Sequence, residues 1–214
     1  MSHRRPDRAT FPLEAIAHLR AADPVLGALI DRVGADVEWP VERDLWWSLV
    51  DSIVSQQISA KSATTVVGRL EALGGAGGRP TPAEMLAIPD ETLRAAGLIR
   101  ARIASIRDLA ARWLDGTLRH AELPALPDEE VVAELTKVKG IGRWTAEVIL
   151  VFTLARPDVL PAGDLGLQAA AQRLYALPER PKPDALLRLA EPWRPWRTAA
   201  ARYLWRSLSL PPSD

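Results

Sequence analysis

The chain has 214 residues, of which 48% are hydrophobic and 25% are charged, as in globular proteins rather than disordered or collagen-like chains. It contains no cysteine, which excludes disulfides, thiolate zinc sites, cysteine-ligated iron–sulfur clusters and a cysteine nucleophile. Its 27 basic residues balance its 27 acidic ones, so net charge neither favours nor excludes a nucleic-acid partner. No apolar run reaches the roughly 20 residues of a membrane span, and no signal peptide is evident, so we expect a cytoplasmic protein.

Two segments are locally basic despite the neutral total. Residues 94–119 contain six arginines and two aspartates, and residues 188–206 contain five arginines and one glutamate. Solvated helix faces explain such segments at least as well as a nucleic-acid surface does. The eight tryptophans outnumber the two tyrosines and two phenylalanines, and indole is the best aromatic surface for stacking on a cation.

Apolar residues recur at helical spacing along most of the chain, first over 45–54 and 63–73 and later over 99–113 and 196–204. A glycine-rich loop at 74–78 separates two of these segments. Thr81 followed by proline is typical of a helix N-cap. No run of alternating β-branched residues appears, so we predict an all-α fold of about ten short helices with few or no strands.

The tryptophans separate into two expected groups. Core packing is the expected role of Trp39, Trp46 and Trp113. Trp193 and Trp196 lie in the tail, where either helix packing or the lining of a cleft would explain them.

The segment LTKVKGIGRWTAEVI, residues 135–149, places a Gly-Ile-Gly turn between two apolar helices. Glycine allows the backbone to turn tightly and to approach another molecule, and the next helix begins with free N–H groups that suit a phosphate. Ile141 is expected to anchor the turn in the core. Basic side chains flank the turn, namely Lys137, Lys139 and Arg143. An ordinary packing corner is the alternative, and the full pattern favours the helix–hairpin–helix motif, which holds DNA backbone without reading sequence.

A second segment, residues 158–174, contains Asp164 directly after Pro161-Ala162-Gly163 and before an amphipathic helix. An aspartate at this place is commonly only an N-cap. The helix dipole also favours its carboxylate form, which could stabilise a developing sugar cation or orient a water molecule. Cleavage of an N-glycosidic bond requires both the stabilisation of a sugar cation and an oriented water molecule.

Taken together, a Gly-Ile-Gly hairpin followed about twenty residues later by a Pro/Gly turn and an aspartate resembles the HhH-GPD superfamily of DNA glycosylases. Three further segments resemble its alkylation-repair branch, the 3-methyladenine DNA glycosylase II type: SerGlnGlnIleSer at 55–59, GlyArgTrpThrAla at 142–146 and the tryptophan-rich tail at 192–205. The resemblance runs from about residue 42 to the C-terminus.

The resemblance implies an all-α architecture of two helical subdomains with a DNA-binding cleft between them. The expected central lobe spans residues 50–155 and ends in the hairpin, while 1–49 and 156–214 form the second lobe, which carries Asp164. Larger members have an N-terminal β-rich domain, which we do not expect in a chain of this length.

The resemblance also implies a chemistry. Asp164 matches the catalytic aspartate. Trp144 occupies the position where glycosylase/lyase members carry their Schiff-base lysine, so no imine with the sugar is expected. A monofunctional enzyme that leaves an abasic site uncut follows.

Further roles are implied for other positions. The expected base-pocket residues are Gln56, Trp144, Val148 and Trp205. Gln57 matches the wedge that enters the base stack, a position that is apolar in the best-known members, so Ile58 could share the task. Val148 replaces a pocket tyrosine of some members, which suggests a more permissive pocket. The expected phosphate-binding residues are Lys139, Gly140, Ile141, Gly142, Arg143 and Thr145. The backbone carbonyls of Thr136, Val138 and Ile141 match an alkali-cation site for Na+ or K+, and no catalytic cofactor is expected.

We therefore expect a monomer that acts on duplex DNA containing alkylated bases such as 3-methyladenine. Alkylation at a ring nitrogen makes a purine cationic, so a flipped-out base would stack between Trp144 and Trp205 while Asp164 stabilises the sugar cation. Two alternatives remain open: a non-catalytic hairpin module in which Asp164 is only a cap, and a helical scaffold that binds no nucleic acid.

Overall fold

The computed structural model describes residues 7–35, 39–41, 44–75 and 78–210. These residues form twelve α-helices and one short 3-10 helix, Glu191–Trp193. The α-helices are α1 Leu13–Ala22, α2 Pro24–Val33, α3 Leu45–Ser55, α4 Ala60–Glu71, α5 Pro82–Ala87, α6 Asp90–Ala95, α7 Arg100–Asp115, α8 Asp128–Leu135, α9 Arg143–Phe152, α10 Leu165–Leu174, α11 Pro183–Leu189 and α12 Arg197–Ser207. None of these helices is long and apolar enough to cross a membrane.

Two three-residue strands accompany the helices. Strand β1, Asp7–Ala9, pairs antiparallel with β2, Trp39–Val41. The prediction of an all-α fold with few strands is thus confirmed. The side chain of Trp39 and residues 76–77 of the expected glycine loop lie outside what the structure describes, so the expectations for them stay predictions.

Local signals in the sequence begin helix α5 as predicted. The Thr81 hydroxyl accepts the N–H of Glu84 at 3.2 Å, and the Glu84 carboxylate accepts the N–H of Thr81 at 2.8 Å. Proline follows in the first turn, where its missing N–H costs nothing. This reciprocal capping box explains why a six-residue helix starts sharply after the glycine loop.

The chain divides into two compact units. We call residues 43–149 the central unit, and residues 1–42 with 150–214 the terminal unit. The sequence places these boundaries at 49/50 and 155/156. The structure groups α3 with α4 and α7 in the central unit, and its second boundary lies inside α9.

The terminal unit packs α1, α2, α10 and α12 around a core in which Trp193 and Tyr203 are fully buried. The Asp23 carboxylate accepts the Trp193 indole N–H at 2.8 Å and the Tyr175 hydroxyl at 2.6 Å, while it also caps α2. Burial, reinforced by Asp23, raises the pKa of Tyr175, so the phenol remains a donor. Trp193 is therefore a core residue, and Trp196 is partly buried against the same core.

The central unit buries Trp46 as predicted. Its indole donates to the Pro80 carbonyl at 2.9 Å, and its ring meets Trp113 edge-on at 5.5 Å. Trp113 is only partly buried, and its other partner is His120, on which it stacks at 3.9 Å. Trp113 thus packs at the edge of the core rather than inside it.

Structural contacts occupy several arginines of the basic segment 94–119. The Arg107 guanidinium donates to the carbonyls of Met85 and Ile88 and to Asp90, which ties α7 to α5 and α6. Arg119 pairs with the buried carboxylate of Glu134 at 2.9 Å. Four of the six arginines thus serve as internal braces, since Arg102 and Arg112 are bonded as well, while Arg94 and Arg100 are exposed.

Candidate active site

The hairpin lies between α8 and α9, as the sequence predicts. Helix α8 ends at Leu135, and the chain turns through Gly140, which has φ +81°. Val138 and Ile141 are 1% and 4% exposed, so both side chains hold the turn in the core of the central unit. The anchoring role expected for Ile141 is confirmed.

The two hairpin glycines serve different purposes. A Cβ on Gly140 would lie 2.4 Å from the Ser105 hydroxyl of α7, whereas a Cβ on Gly142 would meet nothing within 4 Å. Gly140 therefore permits close packing in a left-handed conformation that side chains disfavour. Gly142 is exposed and leaves bare backbone at the surface, which suits close approach of a phosphate.

Helix α7 also holds the hairpin through Asp108. Its carboxylate Oδ2 accepts the backbone N–H of Lys139 at 2.8 Å and the side chain of Arg112 at 3.0 Å. A second backbone N–H of the turn, that of Ile141, donates to the Val138 carbonyl at 3.1 Å. Both of these N–H groups are occupied by the protein itself, so backbone contacts to a phosphate would fall to the N–H groups from Gly142 onward.

The three basic residues near the turn differ in their availability. Arg143 pairs with Glu129 at 2.5 Å and with Glu147 at 3.1 Å, and the hydrogen bond to Glu129 raises its pKa. Lys137 pairs with Glu134 at 2.5 Å. The side chain of Lys139 is exposed, and its amine forms no ion pair with any residue that the structure describes. Of the three, Lys139 is best placed to meet a phosphate, and Arg143 would have to share its carboxylates.

The side chain of Thr145 is not available as the expected phosphate ligand. Thr145 is only 3% exposed, and its hydroxyl lies 3.4 Å from the Gln56 side-chain nitrogen. The hydroxyl is turned into the protein, so only the backbone N–H of Thr145 could contribute to phosphate binding.

Gln56 ends α3 and reaches the hairpin. Its Nε2 donates to the Gly140 carbonyl at 2.9 Å, so the amide expected in the base pocket is bound to the turn. Gln57 follows with φ +57° and an exposed side chain, while Ile58 is partly buried. A non-glycine residue with positive φ is uncommon and indicates a loop held by its surroundings.

Two expected pocket residues lie on one face of α9. Trp144 is 43% exposed, and Val148 is partly exposed one turn later. The indole of Trp144 thus presents part of an aromatic surface on this face of α9, which is the kind of surface on which a flat ring can stack.

Asp164 begins α10 in the terminal unit. Its Oδ1 accepts the backbone N–H of Leu167 at 2.7 Å, the expected N-cap bond, and the indole N–H of Trp205 at 3.0 Å. A Cβ on Gly166 would lie 3.0 Å from the same oxygen. The cap, the indole and the glycine together fix the orientation of the carboxylate.

The loop before Asp164 is bound to α12 by side chains. Thr198 accepts the N–H of Val159 at 3.0 Å and donates to the Arg156 carbonyl at 2.5 Å. Asp158 accepts from Arg197 at 2.7 Å and from Arg194 at 2.6 Å. These bonds explain why Asp164 lies beside Trp205, which is 41 residues further along the chain.

Sequence reasoning missed three residues around this carboxylate. Phe152 packs against Trp205 with ring centroids 5.4 Å apart, and the Arg202 guanidinium lies 4.5 Å from the Phe152 ring. Burial lowers the pKa of Arg202 to about 10. Leu165, directly after Asp164, is 64% exposed. Only Leu165 could have been suspected from the sequence, as the residue that follows the aspartate.

The expected cation site can be assessed from backbone contacts. The Val138 carbonyl accepts the Ile141 N–H at 3.1 Å and keeps a second lone pair, so coordination of a cation remains possible. Thr136 and Ile141 supply the other two expected carbonyls at the same turn. Carbonyl oxygens suit hard cations. No cluster of His, Cys, Asp or Glu that could hold a metal occurs within the described ranges.

The predicted site residues therefore fall into two groups. Gln56, Gln57 and the hairpin belong to the central unit, where hydrogen bonds join Gln56 to the hairpin. Asp164 and Trp205 belong to the terminal unit, where one hydrogen bond joins them.

Comparison with known proteins identifies the family. The model for "HhH-GPD superfamily base excision DNA repair protein" matches residues 50–195. The chain therefore belongs to the HhH-GPD superfamily of base excision DNA repair proteins.

Individual relatives lie in the alkylation-repair branch. DNA-3-methyladenine glycosylase 1 of Schizosaccharomyces pombe is 35% identical over 170 residues, which cover 79% of this chain and 75% of the relative. The structure of the 3-methyladenine DNA glycosylase of that yeast with abasic DNA has a TM-score of 0.84 at 32% identity, covering 94% of this chain and 99% of the other. A DNA-3-methyladenine glycosidase from Bacillus halodurans has a TM-score of 0.82 at 35% identity, with coverages of 95% and 93%.

The different roles of the two glycines can be tested by alanine substitution. Gly140→Ala should lower the free energy of unfolding by about 2 kcal/mol or more, because it combines a positive φ with a clash against Ser105. Gly142→Ala should change it by less than about 1 kcal/mol. Urea denaturation followed by circular dichroism measures both values. Equal losses in the two variants would contradict the assignment of the steric constraint to Gly140.

Proposed function

We propose that this chain is a monofunctional DNA glycosylase of base excision repair that excises alkylated bases such as 3-methyladenine from duplex DNA and leaves an abasic site. The observation that carries the proposal is the Asp164 carboxylate, oriented by the Leu167 N–H and the Trp205 indole in a member of this family. The names of its relatives, and the abasic DNA in the yeast structure, support the same reaction.

The proposed reaction is hydrolysis of the bond between C1′ of deoxyribose and the base nitrogen. The base leaves with the bonding electrons, and a base that alkylation has made cationic leaves as a neutral molecule. Positive charge develops on the sugar, and the fixed Asp164 carboxylate stabilises that charge without reorienting. Water then adds to C1′ and loses a proton, which gives the abasic site.

The exposed indole of Trp144 provides the surface that a cationic base prefers. Cation–π attraction is strongest for indole and grows when water is excluded, so an alkylated base gains more from Trp144 than a neutral base does. Val148 on the same face of α9 is small and apolar, which favours a permissive pocket. The assignment of Trp205 to the base pocket stays a prediction, and its hydrogen bond to Asp164 gives it a positioning role as well.

The monofunctional assignment depends on the first turn of α9. That turn carries Trp144 and no lysine, so it offers no amine to form an imine with the sugar. Strand cleavage by that route is therefore absent from the proposed reaction.

The non-catalytic alternative requires Asp164 to be a helix cap and nothing else. A cap needs only the Leu167 N–H, whereas Asp164 also accepts a hydrogen bond from an indole. The second contact does not by itself separate the two roles, because Asp23 also caps a helix and accepts the Trp193 indole in the core. Membership of a family of base excision DNA repair proteins favours the catalytic role.

Duplex DNA is the proposed partner, held through the hairpin by a protein that acts as a monomer. Lys139 and the bare backbone at Gly142 supply the phosphate contacts, which carry no base specificity. A DNA-associated location follows from this partner, and the cytoplasmic compartment stays a prediction.

We also propose that the carbonyls of Thr136, Val138 and Ile141 hold Na+ or K+ and stiffen the hairpin. No step of base excision runs through this ion. Replacing K+ by a large organic cation at constant ionic strength should weaken duplex binding by about threefold to tenfold, because ordered phosphate ligands bind more tightly. Fluorescence anisotropy measures the affinity, and equal dissociation constants in both salts would exclude the site.

Asp164→Asn tests the catalytic assignment. Asparagine is also a good N-cap and its oxygen can accept the same two hydrogen bonds, so the fold and the DNA affinity should persist. Release of 3-methyladenine from methylated duplex DNA should fall by about a hundredfold or more, because the negative charge is lost. Chromatography of the released bases measures the rate.

Asp44→Asn is the matched control, since Asp44 caps α3 through the Trp47 N–H at 3.0 Å. It should release bases at the wild-type rate. Full activity in Asp164→Asn would refute the proposed mechanism, and DNA binding without base release in the wild type would support the non-catalytic alternative.

Lys139→Glu tests the hairpin as the DNA contact. The variant should weaken duplex binding by about tenfold and lower the slope of log affinity against log salt by about one, since one phosphate contact is lost. Lys182→Glu in the terminal unit makes the same charge change at the start of α11 and serves as the control. Equal effects in both variants, or binding insensitive to salt, would exclude the hairpin as the contact.

A further inference from the structure

The turn that carries Gln57 is bound to the hairpin by one side chain. Gln56 is the C-cap residue that follows α3. Its Nε2 donates to the carbonyl of Gly140, which lies 84 residues further along the chain. The same nitrogen lies 3.4 Å from the Thr145 hydroxyl in α9. The amide thus contacts both the turn of the hairpin and the helix that follows it.

The main chain of Gln56 is held as well. The Arg102 guanidinium of α7 donates to the Gln56 carbonyl. Side chain and main chain of one residue are therefore fixed by different partners, so Gln56 can neither rotate away from the hairpin nor shift along α3 without breaking a bond. Gln57, the next residue, is presented at the surface with φ +57°.

The hairpin end of this link is itself rigid. Gly140 packs against Ser105 of α7 without room for a Cβ, and the neighbouring Lys139 N–H is held by Asp108 of the same helix. Helix α7 therefore fixes the hairpin on one side and, through Arg102, the Gln56 turn on the other. Three contacts to one helix make the two loops a single body.

We infer that Gln56 is a positioning residue that sets the distance between the phosphate-binding hairpin and the Gln57 wedge. When the hairpin grips a strand, this link places Gln57 at a defined step of the base stack. A base is extruded only if the wedge enters at the correct step, whereas the hairpin can hold phosphates wherever the wedge lies. Loss of the link should thus impair extrusion and spare binding. This inference rests on the proposed function for its DNA substrate.

Gln56→Ala in the full chain tests the link. The probe is a duplex that carries a hydrolysis-resistant 3-methyladenine analogue with 2-aminopurine beside it, whose fluorescence rises when stacking is lost. We expect the dissociation constant from anisotropy to stay within about threefold of wild type. The 2-aminopurine signal, and the single-turnover rate of base release from methylated DNA, should each fall by about tenfold or more, because small displacements of positioning groups are costly.

Gln56→Glu separates hydrogen bonding from shape. The side chain keeps its volume but cannot donate to the Gly140 carbonyl, so this variant should show the same loss of extrusion as Gln56→Ala. Arg102→Met removes the bond to the Gln56 carbonyl instead and should show the same split between binding and extrusion. Thermal unfolding by circular dichroism shows which variants remain folded.

Two outcomes would overturn the inference. Wild-type extrusion in both Gln56 variants would show that the link is not used. A loss of affinity parallel to the loss of extrusion, as in Lys139→Glu, would show that Gln56 only builds the hairpin.

Failure of the proposed function gives a different pattern. Asp164→Asn should keep the wild-type 2-aminopurine signal and lose base release. If the wild type extrudes the base but releases none, the catalytic proposal fails while the role of Gln56 can still be measured.

Discussion

The close approach of the Gly140 backbone to Ser105 is the constraint on which the central unit depends. A side chain at Gly140 would push the turn away from α7, since its Cβ would lie 2.4 Å from the Ser105 hydroxyl. With the turn in place, the Lys139 N–H reaches Asp108 and the Gly140 carbonyl faces Gln56. One steric requirement thereby arranges the hairpin turn and the support of a neighbouring loop, and it explains why a glycine matters here for packing more than for mobility.

In the terminal unit, two hydrogen bonds orient the carboxylate of Asp164. A helix N-cap already restricts an aspartate, because the carboxylate must face the first N–H groups of the helix. Asp164 adds the Trp205 indole N–H, and the bonds from Thr198 and Arg197 of α12 to the preceding loop keep this helix beside it. The side chain that begins α10 is therefore also the one whose orientation the proposed reaction requires. A preorganised anion of this kind stabilises a developing cation without the cost of turning dipoles during the reaction.

The sequence predicts those features that depend on neighbours along the chain. Helical spacing, the Thr81 cap, the Asp164 cap and the anchoring of Ile141 all follow from residues a few positions apart. Contacts between distant residues do not. No periodicity places the amide of Gln56 on a carbonyl 84 residues away, and no motif shows that Glu129 engages Arg143, 14 residues further along the chain. The motif names the residues of the site, and tertiary packing decides which of their atoms remain available.

The same limit governs the interpretation of charge. The number of arginines in residues 94–119 would be compatible with a basic surface for nucleic acid. Arg107 and Arg119 instead bond to carbonyls and carboxylates of their own unit. What remains for DNA near the hairpin is a lysine and backbone N–H groups. Such contacts are few and carry no sequence preference.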